Sequence, residues 1–319
     1  AFGNDSMALG PLSGAFGQSA VALGLRSEAH GNNSTAIGQD AMSKGANNVA
    51  LGNKAHAAGG TDPAVLSNNI AIGTDSLADY AYSTAMGTNA HATGLGSTAL
   101  GWNATASAWN AIALGSSAGA SEAFGVAMGY DSHADAYQAT AIGASARASG
   151  SAATALGGGS TADGLGSVAV GKFSYSHGEY ATALGTMAVA YGDRSVAIGT
   201  SWVEQQATDS VALGHGSVAS RANTVSVGAS KEWWDRMGDY PGVMQRQITD
   251  VAAGTQDHDA VNLAQLKGVE AKAGSGRFVA VDGTDDGSED PFANGKGATA
   301  IGPQASAEGW QLSTASPLQ

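Results

Sequence analysis

The sequence predicts an all-β parallel solenoid of fourteen-residue coils, and three observations carry that expectation. The tripeptide Ala-aliphatic-Gly recurs along the chain, and from Gly73 to Gly199 its glycine returns every fourteen residues. The positions around that glycine form columns of fixed chemical character. The chain holds 47 glycines and only 6% aromatic residues, too few large side chains for a broad core. Glycine at this frequency without a three-residue period or abundant proline excludes collagen, and 43% hydrophobic content argues against disorder. A stack of coils, each packed on the next around small side chains, is the class that remains.

Aligned on that glycine, Gly10, Gly17, Gly24, Gly38 and Gly52 precede Gly73, and Gly214 and Gly228 follow Gly199. The gap from Gly52 to Gly73 is one coil plus seven residues and contains a loop signal, GGTDPAVLSNN. The gap from Gly199 to Gly214 is one residue longer than a coil, near SWVEQQATD. A second glycine often lies seven residues on, as at Gly94, Gly150, Gly164 and Gly178. Each coil therefore divides into two half-units, each a short strand and a turn.

The first strand ends at the glycine. One residue before it stands a large apolar side chain, as at Leu100, Leu114, Ile142, Leu156, Leu184, Ile198 and Leu213. Two before it is alanine, and three before it is mostly β-branched, as at Thr84, Thr98, Ile112 and Val168. Alternate strand residues face opposite ways, so both faces of this strand are apolar and burial on both is expected. In the second strand, small residues stand three and five after the glycine, as at Ala90 and Ala92 or Ser174 and Ser176. The residue between them varies freely (His91, Thr105, His133, Arg147, Tyr175) and reads as an outward, ligand-facing column.

A fourteen-residue coil encloses little more than a line of small side chains. The aliphatic column must then be covered from outside, because a bare stripe of that length exceeds what soluble monomers expose. Nothing else in the chain is long enough, so the expected cover is further copies of the same chain, side by side about a common axis.

Charge and composition narrow the functional classes. Lys and Arg total 14 against 27 Asp and Glu, a net charge of -13, which disfavours nucleic acid as a partner. The absence of cysteine removes disulfides, thiolate metal sites and cysteine nucleophiles. No apolar run approaches the ~18 residues that span a bilayer. The N-terminus, AFGNDSMALG, begins inside a repeat, so the chain reads as a piece of a longer one.

SVAIG (195–199), SVALG (210–214) and NTVSVG (223–228) resemble the head repeats of the YadA-like trimeric autotransporter adhesins. RQITDVAAGTQDHDAVNLAQLK (246–267) resembles the neck of that family. The resemblance implies a left-handed parallel β-roll head joined to a neck and coiled-coil stalk. It also implies a homotrimer on the outer membrane of a Gram-negative bacterium, binding host extracellular-matrix or cell-surface ligands. The family's membrane β-barrel is not among these residues, so no membrane contact is expected of this fragment. The expected divisions are a head over 1–228, a Trp-containing insert over 229–245, the neck over 246–267, a connector over 268–292 and the start of a second head segment over 293–319. The insert is longer than the family's usual link, and Asp250 stands where the family more often has Asn.

Within the neck, Asp257 or Asp259 is expected to cap a helix, and Val261, Leu263 and Leu266 supply apolar packing positions. Ile248 and Val251 belong to the same segment. Arg246 is expected to pair with an acidic neck residue such as Asp250 or Asp259, on its own or a neighbouring chain. Gly295, Gly302 and Gly309 resume the seven-residue spacing.

Other constellations read as less than sites. His56, His91 and His133 share the outward column but not adjacent coils, so they read as solvated surface rather than metal ligands. DGTDDGSED (282–290) lacks calcium-loop spacing and reads as an acidic turn. Trp233, Trp234 and Tyr240 read as a plug over the end of the head. No nucleophile–base pair or cleft suggests an enzyme, and no cofactor is expected. The alternative is an ice- or carbohydrate-binding solenoid, because Thr84, Thr98, Thr140, Thr154 and Thr182 share one column. Ile112, Val126, Val168 and Val196 interrupt that hydroxyl ladder.

Overall fold

The structure is a computed structural model that describes residues 1–58, 67–230, 244–274, 292–294 and 306–308, the last three residues of the helix and the two short segments by backbone only. It divides into two compact units, Ala1–Arg246 and Gln247–Gln319. The expected plug residues Trp233, Trp234 and Tyr240, and the acidic turn at 282–290, lie outside the described residues.

The first unit is the solenoid. Strands of mostly three residues, such as Thr98–Leu100 and Ile112–Leu114, form a sixteen-stranded sheet. Two-residue strands, such as Thr105–Ala106, form a second sheet of fifteen. Each strand pairs in parallel with its counterpart one coil on, and Thr98, Ala99 and Leu100 stand beside Ile112, Ala113 and Leu114. Like residues therefore stack on like, which is why the sequence reads in columns.

Between the sheets lies a core of alanine and serine. Ala99, Ala104 and Ala106 are fully buried, as is Ser97, and among the described residues the largest fully buried side chain is Val203. The two sheets are too close for anything larger. The expectation of an inner strand buried on both faces holds for its inward alanine only. Leu156, Leu184 and Leu213 remain 43%, 46% and 44% exposed on the outward side. A coil this short has no residues left over to fold back across them.

The period follows from the glycine. Gly101 has φ +139°, and a Cβ there would lie 2.4 Å from the carbonyl oxygen of Gly115 in the next coil. A side chain would push the coils apart, so this corner admits no other residue. A second requirement recurs every seven residues, where one residue per corner takes the left-handed conformation. Asn89, Asn103 and Asn110 do so at φ 58°, 56° and 52°. Asparagine tolerates that region, but Phe124 and Tyr180 adopt it too, at φ 60° and 55°. The stacked coils impose the turn against a local cost of about 1–2 kcal/mol.

The irregular coils keep the register. Val49 pairs with Ile70 across twenty-one residues, the excess being absorbed beyond the paired strands. At the one-residue excess, Val196 pairs with Val211, while Trp202 follows its partner Val189 by thirteen residues. The strand arrives one residue early, and Val203 occupies a site that holds alanine in the neighbouring coils, Ala190 and Ala219.

Among its described residues, the second unit has one helix, Leu263–Gly274, and a pair of parallel strands, Phe292–Asn294 and Ser306–Glu308. Phe292 stands beside Ser306, so the fourteen-residue period resumes there.

Candidate functional site

The two sheets present surfaces of opposite character. On the three-residue strands, Thr, Ile or Val and the following aliphatic residue flank each buried alanine and share the outward face. Thr84 and Met86 lie either side of Ala85 in this way. The threonine column therefore belongs to the aliphatic seam, interleaved with leucine and isoleucine, and is no separate hydroxyl ladder.

The two-residue strands carry the varied column. His91 is paired in register with Thr105, and His133 with Arg147, while Tyr175 stands beside Thr161. The five expected ligand-facing residues thus lie on one sheet face. Thr105 and Arg147 are exposed, and His91, His133 and Tyr175 are half-buried among their neighbours. Arg147 binds Asp135 at 2.9 Å, and His133 lies 3.3 Å from Asp131.

His56 departs from the solvated reading given to its column. It sits between Met42 and Leu77, and its Nε2 is buried without a hydrogen-bond partner. Burial pushes its pKa down from 6.5, and nearby Lys44 pushes the same way.

The residue two places on from this column faces the same way, and the sequence reading passed it over. Its members toward the end of the roll are Asp163, His177, Tyr191 and Glu204. Together with Tyr175 and Trp202 they form a continuous patch. Tyr175 and His177 rings lie 6.1 Å apart and within 16° of parallel, Tyr191 is 5.6 Å from Tyr175, and Trp202 is 5.4 Å from Tyr191. The Tyr175 hydroxyl donates to Asp163 at 2.8 Å, and the Ser149 hydroxyl donates to the other carboxylate oxygen at 2.9 Å. Burial and the Asp163 carboxylate push the Tyr175 phenol up to about 12. The available signal was aromatic clustering in a chain otherwise poor in aromatics.

Corner side chains tie adjacent coils. Arg26 grips Asp40 through two bonds of 2.5 and 2.8 Å, and Arg194 grips Asp209 through two of 2.7 Å. The Arg26 guanidinium holds the Asp40 carboxyl below the usual carboxylate range.

At the end of the roll, Ala229 and Met244 form an antiparallel bridge that brings Arg246 back over the last coils. Arg246 donates to Ser217 Oγ at 2.8 Å, to the Val227 carbonyl at 2.6 Å and to the His215 carbonyl. Within this unit its partners are a hydroxyl, two carbonyls and the Met244 sulfur.

In the second unit, the expected aspartate caps give way to Asn262. Its Oδ1 accepts the Gln265 N–H at 3.0 Å, while Gln265 Oε1 accepts the Asn262 N–H at 3.3 Å, a reciprocal capping box. Asn262 Nδ2 also reaches the Val251 carbonyl at 3.0 Å, and Gln265 Nε2 reaches that of Gly254 at 2.9 Å. Asp259 instead closes the preceding turn, accepting the Thr255 and Gln256 N–H groups at 2.8 and 3.0 Å, which lowers its pKa. Asp250 is exposed at φ 60°. Ile248, Val261, Leu263 and Leu266 are exposed by 71%, 68%, 64% and 57%, so nothing in the described chain covers them.

Among the described residues, no group of three or more His, Cys, Asp or Glu side chains is placed to hold a metal ion. No described helix is long and apolar enough to cross a membrane.

One face is varied and polar and the other a bare aliphatic seam, which defines a class of protein: a parallel β-solenoid that displays one side and leaves the other for assembly. The YadA head domain repeat matches at 1–27, 15–41, 29–55, 70–90, 92–118, 119–146, 148–174, 176–201, 206–230 and 293–309. The coiled stalk of trimeric autotransporter adhesins matches at 247–289. The chain belongs to the YadA-like trimeric autotransporter adhesin family. Among solved structures it is similar to the collagen-binding domain of the Yersinia adhesin YadA, at 30% identity and a TM-score of 0.42, covering 56% of this chain and 85% of that one. No curated protein sequence matches it.

Proposed function

We propose that the chain is a head and neck portion of a bacterial surface adhesin, assembling as a homotrimer that attaches the cell to host extracellular matrix or host cell surfaces. The observation that carries this reading is the seam of exposed Leu156, Leu184 and Leu213 and half-buried Leu100, Leu114, Ile142 and Ile198 on a chain whose family is trimeric. Three copies that share the seam hide it from water and turn the varied columns outward. The exposed Ile248, Val261, Leu263 and Leu266 ask for the same partners in the neck.

The outward column of His91, Thr105, His133, Arg147 and Tyr175 then faces ligand. Binding at such a face is non-covalent and modest at each site, strengthened because three chains and many molecules present it together. Family membership supports a site for the assembly at the outer membrane of a Gram-negative cell, facing outward.

The test is binding of the purified chain to immobilised collagen, fibronectin and laminin, with its mass measured by light scattering. Three chains per particle and saturable retention on one of these matrices are expected. A monodisperse monomer, or retention on none, overturns the reading.

A further inference from the structure

The aromatic patch near the end of the roll has a charge pattern that the rest of the face lacks. Along the second outward column, Asp163, His177, Tyr191 and Glu204 follow one another in consecutive coils. Tyr175 and Trp202 stand beside them on the neighbouring column. The aromatic rings are thus bracketed by two carboxylates three strand spacings apart, about 14 Å. From 161 to 220 this sheet face carries no lysine or arginine. Of the nearby cations, Arg194 is held by Asp209, Arg147 beside Thr161 is held by Asp135, and Lys172 lies over the Phe173 ring.

The patch is also built rather than incidental. Asp163 receives both the Tyr175 and the Ser149 hydroxyls and lies 3.4 Å from His177 Nδ1, which holds the two rings nearly parallel. Tyr191 and Trp202 continue that surface.

We propose that this patch binds an extended peptide segment of a basic partner through two arginine side chains. Resting on the adhesion reading above, this names the ligand chemistry at one place on the outward face. A guanidinium is planar and cationic, so it stacks on an aromatic face while its N–H fork meets a carboxylate. Lysine offers the charge without the plane. At about 3.3–3.6 Å per residue, an extended chain covers the distance between Asp163 and Glu204 in about four residues, so the arginines stand four apart. The surplus of negative charge on the chain, -13 overall, favours approach of such a segment.

The test uses the full chain and a labelled peptide, acetyl-Gly-Gly-Arg-Gly-Gly-Gly-Arg-Gly-Gly-amide, followed by fluorescence polarisation. Replacing both arginines by citrulline keeps the planar shape but exchanges one NH2 donor for a carbonyl acceptor and removes the charge, and at least tenfold weaker binding is expected. Moving the arginines next to each other is expected to weaken binding severalfold, as are Tyr191→Ala and Trp202→Ala. Equal affinity for the citrulline peptide overturns the proposal without any variant. So does displacement of the peptide by chitotetraose, a neutral saccharide, with the same variants abolishing saccharide binding. Matrix retention measured in parallel separates the two readings. A chain that holds matrix but discriminates neither peptide nor variant loses this inference alone, and the adhesion reading stands.

Discussion

Asn48 Oδ1 accepts the backbone N–H of Asn69 at 2.8 Å, across the coil that spans twenty-one residues rather than fourteen. The same Asn48 side chain donates to the Ala57 carbonyl at 3.0 Å, and Asn69 repeats the arrangement toward Ala78 and Ser83. In regular coils the equivalent N–H turns to a carbonyl three residues back, as Ser97 does to Gly94. Two buried amides therefore close the core where the regular corner is interrupted.

Asn48→Ala leaves the buried Asn69 N–H without that acceptor, and a loss of about 1–3 kcal/mol in head stability is expected. Denaturant unfolding of the variant checks it. Gln39→Ala, which removes an exposed side-chain bond to Asp40 at a residue outside the left-handed region, is the control and should change stability by less than about 0.5 kcal/mol.

Gly101→Ala puts a methyl group against the Gly115 carbonyl at a positive φ. A loss of about 2–4 kcal/mol is expected, or failure to fold. Gly158→Ala is the matched control, since its Cβ would meet only the Ala144 carbonyl at 3.8 Å. Thermal melts of the two variants should differ by many degrees, and equal melts would remove the stacking argument for the period.

Leu156→Glu combined with Leu184→Glu places charges along the seam. Light scattering is expected to show one chain per particle where the parent shows three. Circular dichroism should keep the β signature, because neither side chain enters the alanine core.

His56 makes the roll sensitive to mild acid. Burial depresses its folded pKa below the unfolded value of 6.5, so the unfolded chain takes up the proton first. Stability is full above that value and falls as pH drops from it toward the depressed folded one. His56→Leu, which matches Leu77 in the same column, should lose less melting temperature than the parent between pH 7.5 and pH 5.

Much of this was legible because a solenoid repeats its environment. Ala99 and Ala113 meet the same neighbours, so the columns displayed the alanine core, the glycine corners and the outward position before any coordinates. The left-handed corner residues were harder to read, because Phe124 and Tyr180 occupy a site that local preference reserves for asparagine or glycine. Only the stacking energy of neighbouring coils overrides that preference.

By itself, then, the sequence determined the period, the parallel register and the division of each coil into a seam side and a display side. These are properties of short-range spacing, which side-chain size and chirality govern. The tertiary structure decided what depends on distance between coils. It gathered Asp163, Tyr175, His177, Tyr191 and Trp202 into one patch and turned Asn48 across the core. It also sent Arg246 to the carbonyls of the last coils and gave the helix cap to Asn262. Each of these is a hydrogen bond or ring contact whose partner becomes a neighbour only after the chain has turned back on itself.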